Sequence, residues 1–178
     1  MNTYEITICG LTRHLPICEV NEHLDIAGFV IFGDVEMTVK CAEELLKKAP
    51  EFDYIITAEA KGIPLGFEMA RQSGKPYIVA RKATKLYMLE PFGVEVKSIT
   101  TDRVQHLYLD KSEAEQLKGK RVIVVDDVIS TGESLKAVEQ LCEEAGADIV
   151  GRMAILAEGD AAKRDDLIFL EELPLFFK

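Results

Sequence analysis

An α/β fold built on a doubly wound parallel sheet is predicted by three features of the sequence. From Tyr54 onward, short apolar strands alternate with helical patterns, the order that produces parallel strands with helical crossovers. Val122 to Val125 are four consecutive β-branched residues, the composition of a strand covered on both faces. The chain has 178 residues, 48% of them apolar, so it can bury roughly 70% of its unfolded surface as one domain, 1–178, without disulfide or metal.

Each element follows from local pattern. Tyr4–Ile8, Leu15–Val20 and Asp25–Phe32 alternate as strands, with Asn21 and Glu22 as the turn of an antiparallel hairpin; residues 1–33 form a small N-terminal hood. Asp34 caps a helix with apolar positions at Val35, Val39, Ala42, Leu45 and Leu46, ended by Pro50. Tyr54–Thr57 is a strand, Ala58–Gly62 a loop, Ile63–Ser73 a helix closed by Gly74, and Tyr77–Ala80 the next strand. Lys82–Thr101 carries Pro91 and Gly93 with little periodicity, so residues 82–104 are expected to form a long mobile lid loop, although Val94–Ile99 alternates like a strand. A strand near His106–Leu109 and a helix over Ser112–Leu117 follow. Next come the strand Arg121–Val125, its exit Asp126–Gly132, a helix from Glu133 to Ala145 and a strand over Ile149–Leu156. The apolar tail, Leu167–Phe177, is expected to pack on the hood or on another subunit.

Charge and cysteine usage narrow the function. With 31 Asp+Glu against 21 Lys+Arg, the net charge of -10 disfavours unspecific binding to nucleic acid or an anionic membrane. Cys9, Cys18, Cys41 and Cys142 form no C-x-x-C pair and have no metal-spaced histidine nearby, the usage of a reduced, cytoplasmic protein. Neither a targeting segment nor an apolar run of roughly 18 residues is visible.

The chemistry is concentrated in Val122-Ile123-Val124-Val125-Asp126-Asp127-Val128-Ile129-Ser130-Thr131-Gly132-Glu133-Ser134. A buried strand runs into two adjacent carboxylates, and a hydroxyl- and glycine-bearing loop then opens a helix. The helix N-terminus offers free N–H groups and a partial positive charge, Ser130, Thr131 and Ser134 add hydroxyl donors, and Gly132 lets the backbone approach an anion closely. Asp126 and Asp127 can accept hydrogen bonds from vicinal sugar hydroxyls and help to hold Mg2+. A sugar phosphate satisfies all of these demands. No G-x-G-x-x-G or G-x-x-x-x-G-K-[ST] is present for a dinucleotide or P-loop site.

This run resembles the phosphoribosyl-pyrophosphate (PRPP) signature of type I phosphoribosyltransferases. The resemblance implies that Asp126 and Asp127 meet the ribose hydroxyls and that Val128, Ile129 and the loop Ser130–Ser134, with Gly132 and Glu133, surround the 5-phosphate. Thr57-Ala58-Glu59-Ala60-Lys61-Gly62 resembles the pyrophosphate loop of the family's purine branch, which places Ala60, Lys61 and Gly62 beside the leaving group and implies a non-proline cis peptide near Ala60 and Lys61. Arg81 and Lys82 match the family's Arg-Lys pair, with Lys85 beyond them, as cations for the pyrophosphate. Val96–Thr101 is similar to the lid of xanthine phosphoribosyltransferases, with Thr101 where adenine enzymes often place a glutamate. Asp126, Asp127, Lys61, Arg81 and Lys82 are thus the expected catalytic residues.

The implied activity is transfer of ribose 5-phosphate from PRPP to a purine, with Mg2+ as cofactor and a homodimer as the assembly. For the base, Glu158 is aligned with a lysine of xanthine enzymes. An ionised carboxylate accepts where a lysine donates, which favours the amino group of adenine. Phe29 and Ile129 are further candidates for base contact, with Phe29 or Phe32 as a stacking ring. Xanthine or hypoxanthine/guanine transfer, and a PRPP-sensing regulator on the same fold, stay as alternatives.

Overall fold

The computed structural model describes residues 2–97 and 104–178. Five strands build its main sheet: β4 (Tyr54–Ala58), β5 (Tyr77–Ala80), β8 (Arg121–Ile129), β9 (Asp148–Glu158) and β10 (Ile168–Leu173). Their order is β10-β9-β8-β4-β5 and every adjacent pair is parallel. β8 is central, as its β-branched run requires.

Alternate residues of these strands enter two separate cores, which is why the strands are apolar throughout. On one face Ile55, Ile123, Val125 and Ile155 meet helices α1 (Val35–Lys48) and α2 (Ile63–Ser73). On the other, Ile56, Val122, Val124 and Ala154 meet α4 (Glu133–Glu144) and Leu117 of α3 (Lys111–Leu117). Asp34 caps α1 as expected, its Oδ1 accepting the Met37 N–H at 3.1 Å. Gly74, at φ 69°, closes α2.

The hood is larger than the sequence suggested. β1 (Thr3–Ile8), β2 (Leu11–Asn21) and β3 (Leu24–Ala27) form an antiparallel meander, and the tail returns as β11 (Leu175–Phe177) to pair with β3. The tail therefore packs on the hood, with Phe176 edge-on to Tyr4 at 5.3 Å. β3 stops at Ala27, before the expected Phe32, yet Phe29 and Ile31 remain buried beneath the hood.

Part of the segment expected as an irregular lid loop is β-strand. β6 (Pro91–Lys97) and β7 (Val104–Asp110) form a two-stranded antiparallel hairpin, packed by Val94, Val96, Leu107 and Leu109 onto the α4 face of the sheet. Pro91 is tolerated as the first strand residue, and Gly93 leaves room for the Tyr108 ring, whose Cδ1 would lie 2.5 Å from a Cβ there. Thr101 and the rest of 98–103 lie outside the described residues.

Candidate active site

The site gathers at the carboxyl ends of the parallel strands, where an open α/β sheet presents its ligands. β8 does not stop before the acids: it continues through Asp126 and Asp127 to Ile129. Asp126 lines a cleft of about 540 Å3 together with Glu59, Lys82, Gln105 and Ser134, and it also borders a smaller cup of about 60 Å3. Asp127, expected to face ligand, is 2% exposed, and its Oδ2 lies 3.4 Å from Lys61 Nζ without an aligned hydrogen bond. Its backbone N–H donates to Asp126 Oδ1 at 2.8 Å. Burial, and then the neighbouring Asp127 charge, push the Asp126 carboxyl well above the usual carboxylate range. Two crowded acids with so little compensation create a demand for hydroxyl donors or a cation.

The cup is formed by Val128 to Gly132 with Ser134 at the start of α4. Gly132 adopts φ 79°, a left-handed conformation that turns the chain from strand into helix. The N-terminal N–H groups of α4 thus stand beside hydroxyl side chains around a space suited to one small anion. Ile129 borders this cup, not the larger cleft, and is 4% exposed. Ser134 Oγ also lies 3.4 Å from Gln105 Oε1, linking the cup to β7.

The second loop, between β4 and α2, faces the acids. Its cis peptide joins Glu59 to Ala60, one bond earlier than expected. Gly62 is required by close approach: a Cβ there would lie 2.1 Å from Thr57 Oγ1 and 3.0 Å from Asp126 Oδ1. Lys61 reaches back to Asp127. Glu59, which the sequence did not single out, accepts the Lys82 N–H at 3.0 Å and lies 3.5 Å from Lys85 Nζ, so it orders the cationic loop.

Three expected contacts, Arg81, Phe29 and Glu158, are not among the residues lining the cleft. Arg81 does not line the cleft: it is 8% exposed, and its guanidinium is held by Glu113 and the Val79 carbonyl. Phe29 is 6% exposed in the core beneath the hood and presents no stacking face, whereas Phe32 is 52% exposed. Glu158 ends β9, half-buried and outside the residues lining the cleft. Desolvation raises its carboxyl, opposed by the charge of Lys61. The Lys61 charge therefore acts on Glu158 as well as on Asp127.

Among the described residues, no three or more His, Cys, Asp or Glu side chains are arranged to hold a metal ion by themselves. No described helix is long and apolar enough to cross a membrane.

Comparison with known proteins agrees with this architecture. Over 112 residues the chain is 41% identical to the hypoxanthine/guanine phosphoribosyltransferase of Methanococcus voltae, covering 63% of this chain and 56% of that protein. Over 126 residues it is 39% identical to the adenine phosphoribosyltransferase of Bifidobacterium longum, covering 66% and 58%. The matched region thus spans little more than half the length of these relatives. The crystal structure of adenine phosphoribosyltransferase from Thermoanaerobacter pseudethanolicus superposes with a TM-score of 0.68 at 25% identity, covering 80% of this chain and 84% of that one. With the phosphoribosyl transferase domain matching residues 38–172, and both signature loops set at the ends of its parallel strands, the chain belongs to the phosphoribosyltransferase family.

Proposed function

We propose that the protein transfers the ribose 5-phosphate of PRPP to a purine, releasing pyrophosphate, with adenine as the preferred base. The observation that carries this reading is the placement of Asp126 between the phosphate-sized cup and the larger cleft, so that one carboxylate borders both spaces. In this reading the cup and the α4 N-terminus hold the 5-phosphate, and Asp126 accepts from the ribose hydroxyls. Lys61, Lys82 and Lys85 surround the leaving group, where negative charge develops as the C1–O bond breaks. A ring nitrogen of the purine attacks C1 from the opposite side.

The crowded acids fit a divalent cation. Asp126, which borders both spaces, and Asp127, whose Oδ2 lacks a hydrogen bond, would hold Mg2+ jointly with oxygens of PRPP, since the described residues alone offer too few ligands. When bound, Mg2+ neutralises part of the polyanion and its leaving group. The relatives that match include adenine and hypoxanthine/guanine enzymes, so the second reading is transfer to a 6-oxopurine. Adenine is preferred on Glu158, whose carboxylate accepts from an exocyclic amino group. A homodimer in the cytoplasm completes the proposal; all four cysteines are free.

Glu158→Lys tests the base assignment. It should lower turnover with adenine while PRPP affinity, measured by calorimetry, stays near wild type. Equal loss of both would refute a role for Glu158 in choosing the base.

A further inference from the structure

Asp127 is sealed into the fold, with its side chain 3% exposed, and its buried Oδ2 accepts no hydrogen bond among the described residues. Among those residues the ion-pair partner of the two adjacent acids is Lys61, whose Nζ stands 3.4 Å from that oxygen. The pairing is one-sided, because the Lys61 side chain is 49% exposed. Its ammonium reaches the acid on a flexible four-carbon stem and holds it by charge, without an aligned hydrogen bond. The lysine can withdraw into water at little cost, whereas Asp127, fixed within β8, cannot follow it. A buried carboxylate left without a cation is costly, so Lys61 leaves only when another positive charge takes its place.

A divalent ion on the same oxygen supplies that charge. It would sit about 2.1 Å from Oδ2, and so no more than about 5.5 Å from an ammonium that keeps its 3.4 Å distance to that oxygen. Two positive charges at this separation repel each other, and the one on the mobile stem gives way. We infer that Lys61 is the resident counter-ion of Asp127: it neutralises the buried acid when no metal is bound, and it opposes a divalent ion that arrives alone. A bare ion meets the full repulsion of the ammonium, whereas one that brings anionic oxygens with it meets less. The lysine therefore sets the protein against free metal and in favour of metal carried by an anionic ligand. That the exchanging ion is the Mg2+ of PRPP rests on the phosphoribosyltransfer reading; the competition at Asp127 does not.

The probe is Mn2+ alone, titrated into the purified protein and followed by loss of the free-ion electron paramagnetic resonance signal, so the test needs neither PRPP nor turnover. Lys61→Met should lower the apparent Kd for Mn2+ by about tenfold, the order expected for removing one charge near contact distance at a half-exposed site. Lys61→Arg keeps the charge and should bind Mn2+ as weakly as wild type. Combining Lys61→Met with Asp127→Asn should abolish the gain, which separates this oxygen from the rest of an acidic surface. Unchanged or weaker Mn2+ binding by Lys61→Met would overturn the proposal. So would an equal gain in Lys61→Arg, which would remove charge as the cause, or a gain that survives Asp127→Asn, which would place the metal elsewhere. Tighter Mn2+ binding by Lys61→Met, in a protein whose wild type is silent with every purine, would support the counter-ion and refute the transfer reading alone.

Discussion

Gly62→Ala probes the closest approach in the site. Gly62 has φ -75° and ψ -15°, a conformation alanine adopts freely, so the cost is steric and not a backbone penalty. The new Cβ would stand 2.1 Å from Thr57 Oγ1, an overlap of about 1.4 Å against ordinary heavy-atom contact. Thr57 has little room to retreat: it is fully buried in β4, and its Cγ2 would lie 3.2 Å from a Cβ on Gly66. Relief must come from moving the loop or the strand, which places the expected loss of stability toward the upper end of overpacking costs, about 3 kcal/mol. Thr57→Ala removes the obstructing hydroxyl, which has no hydrogen-bond partner among the described residues and so is cheap to lose. The double variant should therefore recover most of the stability, with a coupling energy above about 1 kcal/mol in urea denaturation. Its PRPP affinity should stay reduced, because the 3.0 Å approach to Asp126 Oδ1 remains. Wild-type stability in Gly62→Ala, or a double variant no more stable than the single, would refute this account of the loop.

Other predictions rest on single contacts. Asp34→Ala removes the α1 cap and the Arg13 partner at 2.7 Å, and should cost about 1 kcal/mol by denaturation at neutral pH. Arg13 holds the Asp34 carboxyl below its unfolded value, so its contribution is present at neutral pH and is lost as the pH falls below about 4. The gap between variant and wild type should shrink there, and a gap independent of pH would contradict the assignment. Phe29→Ala should destabilise by about 3 kcal/mol as a core deletion while KM for the base is unchanged; a raised KM in a stable variant would return Phe29 to the base site.

What the sequence disclosed and what it hid follow from the range of the interactions. The strands around Val122–Val125 and the helix capped by Asp34 are written in local periodicity and capping chemistry, and they lie close to where the pattern places them. The cup proposed for the 5-phosphate is equally local, since strand, hydroxyls, glycine and helix start occur within a dozen residues. Pro91 and Gly93 made the β6–β7 hairpin look like a loop, because their reasons lie in partners: a strand start and a tyrosine ring packed across the ladder. Arg81 carried the appearance of a free cation for the same reason. Glu113, 32 positions away, is brought to it only by the return of β7 and the capping of α3. Nothing in the spacing of Glu59 marked it as the acceptor that orders Lys82 and Lys85, although it stands inside the loop that was singled out.

The most direct test of the central claim is pyrophosphate release from PRPP and Mg2+ by the purified protein, with adenine, hypoxanthine, guanine and xanthine offered separately. Release dependent on a purine, fastest with adenine and matched by nucleotide formed, is the predicted result. Release with none of the four, in a protein that calorimetry shows to bind PRPP, would contradict it and leave a PRPP-binding protein that does not transfer to a purine.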